Sequence, residues 1–264
     1  MVSPTNVSVL GLGEAGSIVA SDLAQVASVT GFDPLLVGTR KGYSTVDSAA
    51  ECVSNADVII ALTAAPDAIA LFESVFDAIP VGAVYADFSS SSPALKIDLA
   101  QRAATRNILF VDAVLMSPVP QKRIATPVQA SGSGALALTE MLGPLGMHIE
   151  VVGELAGEAA ARKLLRSIVV KGLTALLVES LRTADALELT EWFSGHIAET
   201  LTTMTPAILT RLIDGTAGHS VRRIHEMSAA VEMVESAGVA AHMTRATVKV
   251  LESAADEIPR GSAF

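Results

Sequence analysis

The stretch VSVLGLGEAGSIVASDLA constrains the fold more than any other part of the chain. It carries Gly11, Gly13 and Gly16 as GxGxxG, directly after an apolar strand-like run and at the start of an amphipathic segment. Each glycine has its own reason there. Gly11 permits a tight strand-to-helix turn, Gly13 lets the backbone approach a pyrophosphate, and Gly16 lets helix and strand pack closely. The helix N-terminus then turns unpaired N–H groups toward the phosphates, so Leu12, Glu14 and Ala15 complete the expected cradle. A second strand-like run ends at Asp33, 22 residues after Gly11. That is where an acidic side chain takes the hydroxyls of an adenosine ribose, although an aspartate before Pro34 is also an ordinary turn residue. Asp33 opposes a ribose 2′-phosphate and so favours NAD. Arg40 and Lys41, just downstream, leave NADP open.

Apolar runs and amphipathic segments go on alternating after this motif. Strands are expected at 6–11, 28–33, 57–63, 83–88, 108–114, 127–132 and 148–153, with a helix opened by Ser92-Pro93. Such alternation with short turns implies a parallel sheet wrapped by helices. After Gly153 the strands stop, and helices are expected at 154–187, 190–202, 206–214, 218–236 and 240–257, punctuated by Pro206, Gly215, Gly218 and Gly238. The reading is an α/β, Rossmann-like, doubly wound parallel sheet over residues 1–153, followed by an all-α domain over 154–264. The long helix after Gly153 joins the two.

Composition excludes several classes of partner. Half of the 264 residues are hydrophobic and 17% are charged, so the chain is a folded globular one. The net charge of −10 would repel nucleic acid phosphates. No apolar run reaches the ~18 residues of a membrane span, and MVSPTNVSVLGLG lacks the basic start of a signal peptide. A lone Cys52 excludes an intrachain disulfide and fits a reducing cytoplasm. The five histidines form no metal-spaced pair, so no metal is expected.

Later segments resemble the β-hydroxyacid dehydrogenase family, relatives of 3-hydroxyisobutyrate and 6-phosphogluconate dehydrogenases, and most closely a 6-phosphogluconate dehydrogenase-like branch. SAAECVSNADVIIALTAAPDA resembles the family's run from a short helix through a strand to the loop over the cofactor, with Leu62 and Thr63 lining the dinucleotide. YADFSSSSPALKIDL resembles its Asp-x-Ser-Thr-x-Ser-Pro segment, which brings Ser89 toward the cofactor, and FVDAV resembles the opening of its substrate-binding segment. GEAAARKLLRS falls where the family keeps its active-site lysine, which is Lys163 here. Two positions depart from the pattern. Met116, Ser117 and Pro118 stand where Ser-Gly-Gly is usual, and Ser167 stands where Asn follows the lysine. The resemblance makes Met116, Ser117 and Ser167 substrate-contacting positions and implies a bulkier, more apolar pocket. It also implies a homodimer through the helical domain.

Lys163 sits with Arg166, Ser167 and Thr174 on one face of the expected helix, opposite Leu165, Ile168, Val169 and Leu176. A solvated stripe is the plain reading of such a face. The resemblance instead makes Lys163 the general acid/base of hydride transfer between a nicotinamide cofactor and a small β-hydroxy acid or related alcohol. Something must take the hydroxyl proton as hydride leaves carbon. A lysine does so only when neutral, and burial or nearby positive charge brings it down from an ordinary value of ~10.4. Arg166 and Lys171 lie within two turns. The alternatives are an imine-reductase-like C=N reductase, whose members usually lack the lysine, and a non-catalytic dinucleotide sensor. Arg222 and Arg223 are further candidates for a substrate carboxylate.

Overall fold

The computed structural model describes residues 5–36 and 42–257, so Arg40 and Lys41 lie outside the described residues. The first half builds one eight-stranded sheet from β1 (Asn6–Leu10), β2 (Ser28–Phe32), β3 (Ser44–Thr45), β4 (Val58–Ala61), β5 (Val84–Asp87), β6 (Leu109–Leu115), β7 (Val128–Ser131) and β8 (Ile149–Gly153). The spatial order is 3-2-1-4-5-6-7-8. The direction of winding reverses between β1 and β4, and in open α/β sheets that point is where a crevice forms outside the strand ends.

Strands β4 and β5 are buried along their whole length because helices cover both faces. One face packs Val7, Val9, Val58, Ile60 and Val111 with α1 (Glu14–Leu23) and α6 (Ala135–Leu142). The other packs Ile59, Tyr85 and Phe110 with Cys52 of α2 (Ala49–Val53), Phe72 of α3 (Ala68–Val75) and Leu99 of α4 (Pro93–Ala104). Ser92 caps α4 by accepting from Leu95 N, and Pro93 occupies its first turn, as the Ser-Pro pair predicts.

The parallel sheet expected from the sequence is corrected at one edge, where β7 runs antiparallel to β6. Only a short α5 (Val119–Lys122) and a 3-10 turn (Arg123–Ala125) join these strands. A parallel pair would need a full crossover, whereas an antiparallel partner can be reached by a loop.

The second half is helical: α7 (Glu158–Ala186), α8 (Thr190–Thr202), α9 (Pro206–Ser236) and α10 (His242–Glu257). The break expected at Gly215 and Gly218 does not occur, since α9 is continuous through both. A glycine in a helix interior costs only ~1 kcal/mol, and polar contacts brace this stretch. Thr216 Oγ1 donates to Leu212 O, and Arg223 Nη1 donates to Leu212 O at 3.0 Å and reaches Thr216 Oγ1. Arg223 is thus engaged within its own helix, and Arg222 pairs with Glu226 at 3.8 Å.

The chain divides into two compact units, 1–166 and 167–264, with the division inside α7. In the second unit Glu179 is buried and caps α10. Its carboxylate accepts from Met243 N at 2.7 Å, Thr244 N at 2.9 Å and Thr244 Oγ1 at 2.6 Å. Burial alone would raise this carboxyl, but the Thr244 hydroxyl and the capped amides outweigh it and hold it below its ordinary value. A carboxyl lowered by folding stabilises above the unfolded value, and the effect is lost as pH falls through the folded one. Glu179→Gln should therefore lose about 1–3 kcal/mol at neutral pH, and the gap to the parent should narrow below about pH 4. Denaturant titrations at neutral and acid pH check both.

Candidate functional site

Register fixes the carboxyl edge of the sheet. Phe32, Leu10, Ala61, Asp87 and Asp112 are successive partners across β2, β1, β4, β5 and β6, so they form one row. Chain leaving the first three strands at this row makes a cleft of about 700 Å³, lined by Gly11, Gly13, Asp33, Leu62 and Thr63 among others. These five were singled out from the sequence, and the structure brings them together.

The glycines follow the physical reasoning closely. Gly11 has φ +91°, and a Cβ on it would meet the Leu62 carbonyl. A Cβ on Gly16 would collide with the Gly11 carbonyl, which is the close strand–helix approach. A Cβ on Gly13 would meet nothing within 4 Å, so its backbone is open toward the cleft. Gly13 is also the N-cap of α1 and leaves the first-turn amides without a side-chain cap. Leu12 is buried, while Glu14 is exposed and Ala15 half-buried in the first turn.

Asp33 does two jobs at once. Its Oδ2 accepts from Leu12 N at 2.7 Å, and its Oδ1 accepts from Leu35 N at 2.8 Å. The carboxylate thus clamps the glycine turn to the end of β2 and closes its own turn, with lone pairs left for the cleft it lines. Asp47 and Asp67 also line the cleft, and no lysine or arginine does so among the described residues. Thr63 Oγ1 is buried without a hydrogen-bond partner among the described residues. An open glycine backbone, an uncapped helix start and an unsatisfied hydroxyl fit the phosphates and sugars of a dinucleotide.

Ser89 does not line this cleft. Its hydroxyl is buried and bonded to Asp87 Oδ2 at 3.0 Å and to Ser91 Oγ at 2.7 Å. Met116 and Ser117 follow β6 and are half-buried, and Ser117 Oγ has no hydrogen-bond partner among the described residues. Lys163 lies in the second turn of α7 and is half-buried, with Arg166 exposed beyond it. Ser167 belongs to the second unit, where it is also half-buried.

A buried ionic cluster at the same row went unread in the sequence. Lys96 is fully buried; its Nζ donates to Asp87 O at 2.6 Å, and it lies 3.1 Å from Asp87 Oδ2 and 3.4 Å from Asp112 Oδ1. Asp112 Oδ2 in turn accepts from Gly157 N at 3.0 Å and Ala160 N at 2.9 Å, the start of α7. The signal was present. Asp87 and Asp112 interrupt apolar strands, and Lys96 shares the buried stripe of α4 with Leu99 and Ala103.

Residues 6–120 match the NAD binding domain of 6-phosphogluconate dehydrogenase, and residues 184–254 match a domain of unknown function, DUF1932. Residues 6–120 are thus similar to a nucleotide-binding domain of the 6-phosphogluconate dehydrogenase type. A conserved hypothetical protein from Sinorhizobium meliloti 1021 is 28% identical, with 98% of this chain and 93% of that one covered and a TM-score of 0.62. A conserved protein of unknown function, described as structurally similar to 3-hydroxyacid dehydrogenases, is 24% identical with a TM-score of 0.60, over 95% of this chain and 97% of that one. An imine reductase variant from Myxococcus stipitatus, in complex with NAD+, shares the fold with a TM-score of 0.76 at 20% identity, over 95% of this chain and 93% of that one. No helix among the described residues is long and apolar enough to cross a membrane, and none of their histidine, cysteine and carboxylate groupings could hold a metal ion.

Two substitutions in the glycine turn separate cofactor contact from folding. Gly13→Ala adds a Cβ that meets no protein atom within 4 Å, so stability should change by less than about 0.5 kcal/mol while NADH affinity falls at least about tenfold. Gly16→Ala should cost about 1–3 kcal/mol through its clash with the Gly11 carbonyl. Thermal melts and NADH fluorescence titration measure the two effects.

Proposed function

We propose that the chain moves hydride between NAD and a small β-hydroxy acid or related alcohol, with Lys163 as general acid/base. The observation that carries this reading is the anchorage of α7. Asp112 lies in the same register row as Leu10, which precedes the glycine turn, and it holds the amides of Gly157 and Ala160. Lys163 follows Ala160 by one turn. Its helix therefore starts at the carboxyl edge of the sheet, three strands from the turn, or about 15 Å at the usual strand spacing.

The nicotinamide, when bound, supplies the hydride chemistry. The residues of this chain bind it and manage the proton. Gly11, Gly13 and the first-turn amides of α1 hold the pyrophosphate, Asp33 takes the ribose hydroxyls, and Leu62 and Thr63 line the dinucleotide. Lys163 accepts the alcohol proton in oxidation and returns it in reduction. Met116, Ser117 and Ser167 contact substrate in this reading, with the Ser117 hydroxyl available for one of its polar groups. Asp33, Asp47 and Asp67 favour NAD, since a 2′-phosphate would face three carboxylates. A non-catalytic dinucleotide sensor is the second reading, supported by Met116–Pro118 and Ser167 where the family has other residues, and Lys163 counts against a C=N reductase of the same fold.

A second copy of the chain completes the protein in this proposal. Leu165, Ile168, Val169 and Leu176 on α7 are between 37% and 69% exposed. The apolar face opposite Lys163 is thus the one left open, and apolar surface of this extent marks an association site.

Lys163→Ala should leave NADH affinity unchanged and cut kcat by about 10²–10⁴-fold. The assay is reduced-nicotinamide absorbance across β-hydroxy acids and cyclic imines, and unchanged turnover would remove Lys163 from the chemistry. NADH should bind at least about tenfold more tightly than NADPH. Light scattering at micromolar concentration should give twice the monomer mass.

A further inference from the structure

We propose that Lys96 is a positioning residue, whose charge holds Asp112 as the acceptor that seats the first turn of α7 and so sets where Lys163 stands. The catalytic half of this statement rests on the reading of Lys163 given above; the positional half does not.

Asp87 and Asp112 are direct register partners on adjacent parallel strands. Both side chains are out of solvent, at 2% and 0% exposure. Two carboxylates placed side by side in a dry sheet repel strongly, and a cation between them offsets that repulsion. Lys96 is that cation. Its placement costs a buried stripe position on α4, which only a partnered charge would justify. Asp112 Oδ1 has no hydrogen-bond partner among the described residues and faces Lys96 at 3.4 Å, so that contact works by charge rather than by aligned hydrogen bonding.

The two oxygens of Asp112 then divide their tasks. Oδ1 faces Lys96, and Oδ2 accepts the Gly157 and Ala160 amides and the Ser131 hydroxyl at 3.3 Å. Ser131 Oγ accepts from Ala159 N at 3.1 Å, so three first-turn amides of α7 depend on this pair. Asp87 carries the other branch, with Ser89 N at 2.9 Å on its Oδ1 and Ser89 Oγ at 3.0 Å on its Oδ2. One lysine therefore stands between the loop leaving β5 and the helix bearing Lys163.

The test removes the cation and then restores the balance of charge. Lys96→Met leaves two unpaired carboxylates. Lys96→Met with Asp112→Asn returns the cluster to its original net charge, and the asparagine oxygen still accepts the α7 amides. Hydrogen exchange read by mass spectrometry on peptides spanning 154–166 should speed up at least about tenfold in Lys96→Met. Peptides from α10 should keep their protection, and the double variant should restore most of the loss. Competitive labelling of Lys163 with acetic anhydride should change and recover in parallel. If Lys96→Met fails to fold while the double variant folds, the charge assignment is equally supported. Unchanged exchange in folded Lys96→Met, an equal speeding of every peptide, a double variant no better than the single, or a failure of both to fold would each overturn it. If Lys163→Ala keeps full turnover, the functional reading fails while the exchange result still decides the role of Lys96.

Discussion

The carboxylate of Asp112 is the constraint on which the rest of this structure depends. A parallel sheet buried on both faces has little tolerance for charge, because each ion leaves water without a ready partner. Here two aspartates occupy adjacent positions of one row, and the fold accommodates them with a lysine and with the amides that begin α7. Such clusters add little net stability, since desolvation consumes most of the attraction. Their value is directional. An apolar contact would let a long helix slide or rotate by a residue, whereas Oδ2 accepts the Gly157 and Ala160 amides at about 3 Å and only in one register.

Much of the nucleotide-binding half was legible in the sequence because its determinants are local. The glycine pattern, the apolar strand runs and the Ser-Pro helix start each rest on a few adjacent residues, and Gly11, Gly16 and Ser92 behave as their chemistry requires. What escaped reading depends on partners far apart in the chain. The reversal of β7 follows from the length of a loop rather than from its strand pattern. The continuity of α9 through Gly215 and Gly218 depends on an arginine reaching back eleven residues to Leu212 O. The ionic cluster joins residues 87, 96, 112, 131, 157 and 160, and no window of sequence contains it.

Helix α7 shows how one element can look contradictory in isolation. Its amphipathic pattern suggests a polar face to solvent and an apolar face to a core. In the single chain the apolar face is the exposed one, while Lys163 and Ser167 are half-buried. The proposed second copy of the chain would supply the core that this pattern describes.

The cleft poses the matching electrostatic problem. It is lined by Asp33, Asp47 and Asp67, with no basic side chain among its described lining residues, yet a dinucleotide carries a charged pyrophosphate. Backbone dipoles resolve this. The uncapped first turn of α1 concentrates amide hydrogens at Gly13, where no side chain intervenes. In the proposed binding mode, attraction for the anion is short-ranged and confined to one spot, while carboxylates govern the ribose end of the same cleft. Asp33 links the two regions physically, because the oxygen that shapes the glycine turn through Leu12 N belongs to a carboxylate that lines the same cleft. Replacing that side chain would disturb both the seat for the pyrophosphate and discrimination at the sugar, so neither function can be altered at this position without the other.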